Sequence, residues 1–591
     1  MKRSEVKPQF LWDLRDIFVS AAEWEKELSA LNRETVGILR YKGRLAGKGA
    51  LLECLKFSDV IGKRIEKAYA YAMFLHDENI ADTVAAELKS KIETLCVRFN
   101  ADASFVTPEL SALPAETLEG FIADPAFSDY DYQLRTVLKE KKHILSDETE
   151  RVLALAGKTT HAFSDIFSQI DNVDLPFPSI EVGGKKVRLT HGTYGLLLQN
   201  PDREIRKKAF FGIYKAVGAL INTTGANFAA SVNKDNFLAQ ARKYGSALEK
   251  SLSGNDVPTG VYETLVAETG KRIKTLHDYM GLRKNILGLE SLHMYDLHVP
   301  MYEKAELSLS FEDAFETVLA GLAPMGEEYL SLLRSAKQNR WIDVEETENK
   351  RSGAYSCGVY GVHPYVLLNY KPTTHDVFTI AHELGHALHS YYSAQNQPYA
   401  KNDYSIFVAE VASTVNEVLL LKHLLKIVSN QKTKKFLLSY YLDMFRTTLF
   451  RQTMFAEFES EVHGAEAAGV PLTVEWLSKR YLALNKKYYG SGVSHDRQIR
   501  LEWARIPHFY RAFYVYQYAT GLTAAVNIAN HILSGNPGAV ASYKAFLSAG
   551  GHKSPYEILK DAGVDLATPE PYGIAFGEFA DSLRELMIND E

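Results

Sequence analysis

The sequence predicts a mainly α-helical protein of two or more packed units with small patches of β-structure. Apolar residues recur at three- and four-residue spacing through most of the chain, and strand-like patterning is confined to two short stretches. The length, 591 residues, also exceeds what a single hydrophobic core fills. With 46% hydrophobic and 24% charged residues, the composition excludes collagenous, disordered and disulfide-rich classes. A net charge of -6 is small for this length, so no strong field points to nucleic acid or an anionic membrane as partner.

From Ala21 to about Asp171 the chain reads as successive amphipathic helices, as in EKAYAYAMFLHDENIADTVAAELKSKIETLCVRF. Near 171–190, DNVDLPFPSIEVGGKKVRLT carries two prolines and two short runs around Gly183-Gly184, the pattern of a β-hairpin. This predicts an N-terminal helical region, 1–190, and a second region, 191–591. Helical periodicity resumes from about Pro201 to Gly288, followed by the loop-rich MYDLHVPM and another helical stretch through Ser335. The second strand-like patch is GAYSCGVYGVHPYVLLNY, 353–370, and everything from His375 onward again reads mainly helical. No stretch reaches the roughly 18 uncharged apolar residues of a membrane span. FLLSYYLDMF comes nearest and Asp443 interrupts it. The opening MKRSEVKPQFLWDL lacks the apolar run of a signal peptide. Cys54, Cys96 and Cys357 are odd in number and widely spaced, which suits free thiols in a reducing compartment. A cytoplasmic location is therefore expected.

The segment TIAHELGHALHS contains the HExxH pattern at 382–386. On a helix, positions i and i+4 share a face about 5–6 Å apart, so His382 and His386 can converge on one zinc ion. Glu383 then sits beside the metal, placed to take a proton from an attacking water and pass it to the leaving amine. A catalytic zinc needs a third protein ligand. Glu410, 24 residues after His386 in the apolar run SIFVAEVASTVNEVLL, is the candidate, because an unpaired carboxylate there is costly to bury. Glu417, seven residues on, is a natural acceptor for the other N–H of a ligand histidine. Asp376 and His389 flank the motif at near-helical spacing as weaker supporting candidates.

Hydrolysis through a tetrahedral intermediate also needs a donor to the oxyanion. IPHFYRAFYVYQYATG offers His508, Tyr510, Tyr514 and Tyr516. Helical spacing puts Tyr510 and Tyr514 on one face, and a packing role competes for every tyrosine. HPYVLLNY reads as an edge strand along which an extended peptide adds main-chain hydrogen bonds, with Gly358, His363 and Tyr365 as candidate substrate contacts. Glycines at 353, 358 and 361 permit either a mobile flap or a plain turn. Gly157-Lys158-Thr159 is not a phosphate loop, since Val152 stands where its first glycine belongs.

These motifs resemble the oligoendopeptidase F branch of the thimet oligopeptidase family of zinc metallopeptidases. The resemblance runs from WDL near the N-terminus through RSGAYSCGVYGVHPYVLLNY, HDVFTIAHELGHALHS and FVAEVASTVNEVLL to LEWARIPHFYRAFYVYQYATG, covering almost the whole chain. It implies one zinc ion on His382, His386 and Glu410, with Glu383 catalytic. It implies a mainly α, two-lobed metallopeptidase enclosing a deep substrate channel, with a small β-sheet near the active site. It further implies internal cleavage of short unstructured peptides in the cytoplasm. The tyrosine spacing differs from the thimet pattern, so the choice among Tyr510, Tyr514 and Tyr516 stays open. Two other readings compete. A zinc carboxypeptidase or dipeptidase would use Arg500, Arg505 or Arg511 for the terminal carboxylate, and a non-hydrolytic peptide-binding protein would keep the fold alone. Oligomeric state is not legible.

Overall fold

A computed structural model describes residues 1–302 and 307–590. The chain is mainly helical, with small two- and three-stranded sheets. It divides into two compact units that interleave along the sequence. The first comprises 1–144, 306–424 and 528–564, and the second 145–305, 425–527 and 565–591. The division into 1–190 and 191–591 follows chain order, whereas these units follow packing. Among the described residues no helix is long and apolar enough to cross a membrane.

The first unit begins with long helices, among them α1 (Lys48–Glu78) and α2 (Thr83–Ala103). The Asp82 carboxylate starts α2 by accepting the N–H groups of Val84 and Ala85, donors that have no partner within the helix. Trp24, fully buried, donates its indole N–H to the Ala68 carbonyl at 2.8 Å, which ties the preceding helix to α1. Three short strands follow: β1 (Ile342–Asp343), β2 (Tyr355–Cys357) and β3 (Tyr365–Leu367). Their order is β1-β3-β2, with β3 parallel to β1 and antiparallel to β2. Tyr365 and Leu367 are buried in one core with Trp12 and Phe74, so β3 is covered. HPYVLLNY therefore supplies the central strand and β1 and β2 are the edges; the Asp13 N–H to Arg340 carbonyl and Val344 N–H to Phe10 carbonyl bonds engage the flanks of β1, while no further strand pairs with β2 among the described residues, which makes β2 the open edge. Its run of bulky apolar residues fits burial on both faces as well as it fits an edge.

Two helices then carry the candidate site, α3 (Thr374–Asn396) and α4 (Ile406–Ile427). Both bury long apolar stripes: Val377, Phe378, Ile380, Ala381, Leu384 and Leu388 on α3, and Val411, Val415, Leu419 on α4. A later helix, α5 (Ala539–Leu547), adds Tyr543, whose hydroxyl donates to the Ala412 carbonyl of α4 at 3.3 Å.

In the second unit Ser179–Val182 and Lys185–Arg188 pair as an antiparallel hairpin across Gly183-Gly184, both at positive φ. Helices over Ile221–Ala241, Arg451–Ala467 and Val474–Tyr489 enclose an aromatic cluster of Phe228, Phe458, Tyr481 and Trp503. Asp443, which interrupts the most apolar stretch, accepts from Arg446 at 2.7 Å and pairs with Arg283 at 3.3 Å. The two guanidinium groups are the buried charges, and Asp443 is the partner they need. Leu292–His293 pairs in parallel with Val493–Ser494, strands too short to show a period in sequence. The start of the helical stretch read after Met301 lies outside the described residues; in the first unit helices are seen at Phe311–Gly321 and Glu327–Gln338.

Candidate metal centre

Helix α3 starts where Thr373 accepts the Asp376 N–H at 3.2 Å while its hydroxyl donates to the Asp376 carboxylate. Asp376 is thus spent on capping, which corrects its candidacy as a support of the ligands. Eight residues on, His382 and His386 point from one face of the helix, their rings 4.8 Å apart.

What brings α4 to them is Gly385. A Cβ there would lie 2.6 Å from Ser413 Cα and 2.7 Å from the Ala412 carbonyl oxygen, so only glycine lets the two backbones approach this closely. Asn416 locks the approach: its amide donates to the Ala381 carbonyl at 3.0 Å and its Oδ1 accepts from the Tyr329 hydroxyl at 3.0 Å. Gly385, Asn416 and Tyr329 escape the reading of the sequence. The visible signals were a glycine within a helix and an asparagine in an apolar run.

The result is a convergence of three donor atoms in the first unit. His382 Nε2 lies 3.2 Å from His386 Nε2 and 3.5 Å from Glu410 Oε2, and His386 Nε2 lies 3.6 Å from the same oxygen. Ligands at about 2.0–2.1 Å on a tetrahedral ion stand about 3.3–3.4 Å apart, which these separations bracket. Glu417 Oε1 sits 2.5 Å from His382 Nδ1. With that nitrogen donating to Glu417, the Nε2 lone pair faces the other donors. Ser413 orients Glu410 by donating to its Oε2 at 3.2 Å. This donor set of two imidazoles and a carboxylate fits a divalent ion such as zinc.

The electrostatics agree. Burial opposes charge on His382, but the hydrogen bond to Glu417, then the charges of Glu417, Glu383 and Glu410, raise it to about 9. Three carboxylates make this a place that holds positive charge. The His386 ring foremost, against burial, holds the Glu410 carboxyl down to about 2. Glu383 is 7% exposed, and burial raises its carboxyl despite the adjacent histidines. The Glu410 side chain keeps 41% exposure, against 14% for Glu417. Burial therefore does not mark Glu410 as the sequence suggested: convergence marks it, and of the two acids the more deeply buried one is Glu417, bonded to His382.

Other candidates from this unit play structural parts. His389 is stacked between Tyr404, 3.6 Å between ring centres, and Phe546; burial pushes it down to about 3, and it supports the core, not the ligands. Tyr365 is fully buried with its hydroxyl on the Asp13 carbonyl at 2.9 Å, which rules out its side chain as a substrate contact. His363 is stacked on Trp341 at 4.7 Å and bonded to Asp16 at 3.0 Å. Gly358 lies against α3, where a Cβ would meet Ser390 at 2.8 Å, and Gly353 and Gly361 sit at φ 86° and 74° in turns. Cys357 is inert, its thiol pushed up to about 12 by burial.

The tyrosine segment belongs to the second unit. It is not one helix: Pro507–Tyr510 forms a tight turn of 3₁₀ helix, Phe513 takes φ 55°, and a helix begins only at Tyr516. Tyr510 and Tyr514 therefore do not share a helical face. Tyr510 stacks on Phe167 at 4.5 Å and its hydroxyl is buried. Tyr516 is 1% exposed and packs on Tyr262, so its ring does not reach substrate either. His508 and Tyr514 remain accessible, stacked 6.1 Å apart, and the Tyr518 hydroxyl lies 3.4 Å from His508 Nε2. Burial, then Arg451 and Arg511, lower His508 and favour its neutral ring. Arg505 and Arg511 lie over the rings of Tyr194 and Tyr514 at 4.8 and 4.0 Å.

Comparison with known proteins agrees with the motifs. The profile of peptidase family M3 matches residues 196–578, and that of Oligopeptidase F matches residues 109–177. The chain is 41% identical to Oligopeptidase PepF of Bacillus subtilis, over 99% of this chain and 88% of that protein. It is 37% identical to Group B oligopeptidase PepB of Streptococcus agalactiae, over 99% and 98%. The crystal structure of oligoendopeptidase-F from Enterococcus faecium superimposes with a TM-score of 0.73 at 35% identity, covering 96% of this chain and 99% of that one. With the M3 profile spanning well over half the chain and a donor set for a divalent ion at its centre, the chain belongs to peptidase family M3, as a metallo-oligopeptidase of the oligoendopeptidase F type.

Proposed function

We propose that this metallo-oligopeptidase uses zinc to hydrolyse internal bonds of short unstructured peptides, with Glu383 as base for the attacking water. The observation that carries it is the convergence of His382, His386 and Glu410 with Glu383 alongside. A zinc ion held by those three side chains supplies Lewis acidity and acidifies water. Glu383, its carboxyl raised by burial, takes the proton from the attacking water and delivers it to the leaving amine.

The open edge of β2 supports the placement of substrate. Val366 and Leu368 donate their N–H groups to the carbonyls of Trp341 and Asp343, so Tyr365 and Leu367 turn theirs towards β2. In that register Tyr355 and Cys357 face β3 and Ser356 presents its main-chain groups outward. An extended peptide adds there as a further strand. For the oxyanion donor the candidates reduce to His508 and Tyr514, whose rings are accessible, while the Tyr510 hydroxyl and the Tyr516 ring are buried. A role in cytoplasmic peptide breakdown belongs to the same proposal.

The test is an internally quenched peptide of about ten residues, blocked at both ends, given to wild type and Glu383→Gln with bound metal quantified. Internal cleavage by wild type, lost by about a hundredfold or more in a variant that retains zinc, supports the proposal. A zinc-loaded wild type that cleaves only peptides with a free terminus overturns the endopeptidase reading.

A further inference from the structure

We propose that a cavity further along α3 is a specificity subsite for a lysine or arginine side chain of the bound peptide; the inference rests on the peptidase reading above. The cavity, about 290 Å³, lies within the first unit, and its wall includes Glu66 of α1, Ser356, Gly358, Ser390, Asp403 and Tyr404. Of this wall the catalytic proposal uses only the main chain of Ser356.

Its position follows from helix geometry. His382, His386, Ser390 and Ala394 succeed one another at four-residue spacing along α3, and the last two line the cavity. It therefore begins about 6 Å and extends about 12 Å along the helix beyond His386. An extended peptide covers that distance in about two to four residues. The strand β2 leads to the same place, since Gly358 follows directly on Cys357 and lies against Ser390. A peptide paired along the open edge of β2 passes the cavity.

Its chemistry calls for a donor-rich cation. The Glu66 carboxylate accepts the Tyr360 N–H at 2.7 Å and the Tyr399 hydroxyl. Asp403, a solvent-exposed residue of the wall, makes no side-chain hydrogen bond or ion pair among the described residues, and the protein packed beside its carboxyl raises it. Asn402 Oδ1 and Ser356 Oγ, both from wall residues, are buried acceptors without a partner. No cation lines the cavity. Lys63 Nζ sits 5.1 and 5.6 Å from the ring centres of Tyr360 and Tyr399, and the charge of Lys67, beside Gly361, already acts on Glu66, which leaves Asp403 as the carboxylate of the wall with no cation acting on it. An arginine brings five donors and a lysine three, each charged, while the rings of Tyr360, Tyr391 and Tyr404 suit the alkyl stem.

The experiment is a positional series of quenched peptides carrying arginine or its neutral isostere citrulline at each of four positions on either side of the cleaved bond. At one position two to four residues from that bond, kcat/KM should favour arginine by about tenfold, the scale of one charge-assisted pairing. The arginine-to-citrulline ratio should fall towards one in Asp403→Asn and below one in Asp403→Lys. The subsite is overturned by the absence of a preference at every position, or by a preference that Asp403→Asn leaves intact. Failure of wild type to cleave any peptide defeats the catalytic proposal separately. The same peptide pair is then titrated against Glu383→Gln: tighter arginine binding lost with Asp403→Asn sustains the subsite, and equal binding of the two peptides overturns it.

Discussion

The α3–α4 pair and the segment from His508 to Tyr518 both carry candidate catalytic residues, and they are built differently. On the helix pair every donor hangs from a regular backbone, and Gly385 and Asn416 clamp the two helices together. In the second segment a 3₁₀ turn, a left-handed Phe513 and a new helix start intervene between the candidates. Four-residue spacing is a statement about space only where the helix is unbroken. That is why His382 and His386 converge as their spacing says, while Tyr510 and Tyr514 do not.

The contrast can be broken or sharpened by substitution. The largest effect is expected at Glu383: Glu383→Gln should lower kcat by about 10²–10⁴-fold with zinc content unchanged, and loss of zinc along with activity would instead make Glu383 a structural part of the site. In the irregular segment, Tyr514→Phe should reduce kcat by about 10²-fold at unchanged KM, as removal of an oxyanion donor does, whereas Tyr510→Phe, which alters only a buried hydroxyl, should leave kcat as it was. Equal losses in the two variants would erase the distinction drawn between them. Glu417→Gln should weaken zinc affinity by about 10–100-fold in a chelator competition, because His382 loses its charged partner.

The clamp itself predicts a stability effect. Gly385→Ala should cost about 1–3 kcal/mol in denaturant unfolding, since its methyl group meets the backbone of α4. An unchanged midpoint would mean the helices separate easily. His389 adds a pH dependence: its folded pKa of about 3 lies below the ordinary value of about 6.5, so its contribution is complete above about 6.5 and is lost as pH falls towards 3. Between pH 7 and 5 it should account for about 2 kcal/mol of lost stability, which His389→Phe should abolish.

Much of this was legible in advance for a physical reason. Helical periodicity and the HExxH spacing are local, and a helix converts local spacing into distance at about 1.5 Å per residue. The helical character, the two histidines and Glu383 follow on that basis, whereas Glu410, on a second helix, was expected from the cost of burying a carboxylate and is in fact marked by convergence. Burial was harder to read. Tyr365 in β3 and Tyr516 at a helix start looked available, yet each is covered by residues remote in sequence, Trp12 and Phe74 for one and Tyr262 for the other.

By itself the sequence determined the helical class, the metal-binding pattern and the family, because each is written in residue types at short fixed intervals. Only the tertiary structure decided that β3 is the central strand, which ligand histidine Glu417 bonds, and that Asp403 and Glu66 share a cavity. Those facts depend on chain segments tens to hundreds of residues apart, and packing alone brings such segments together.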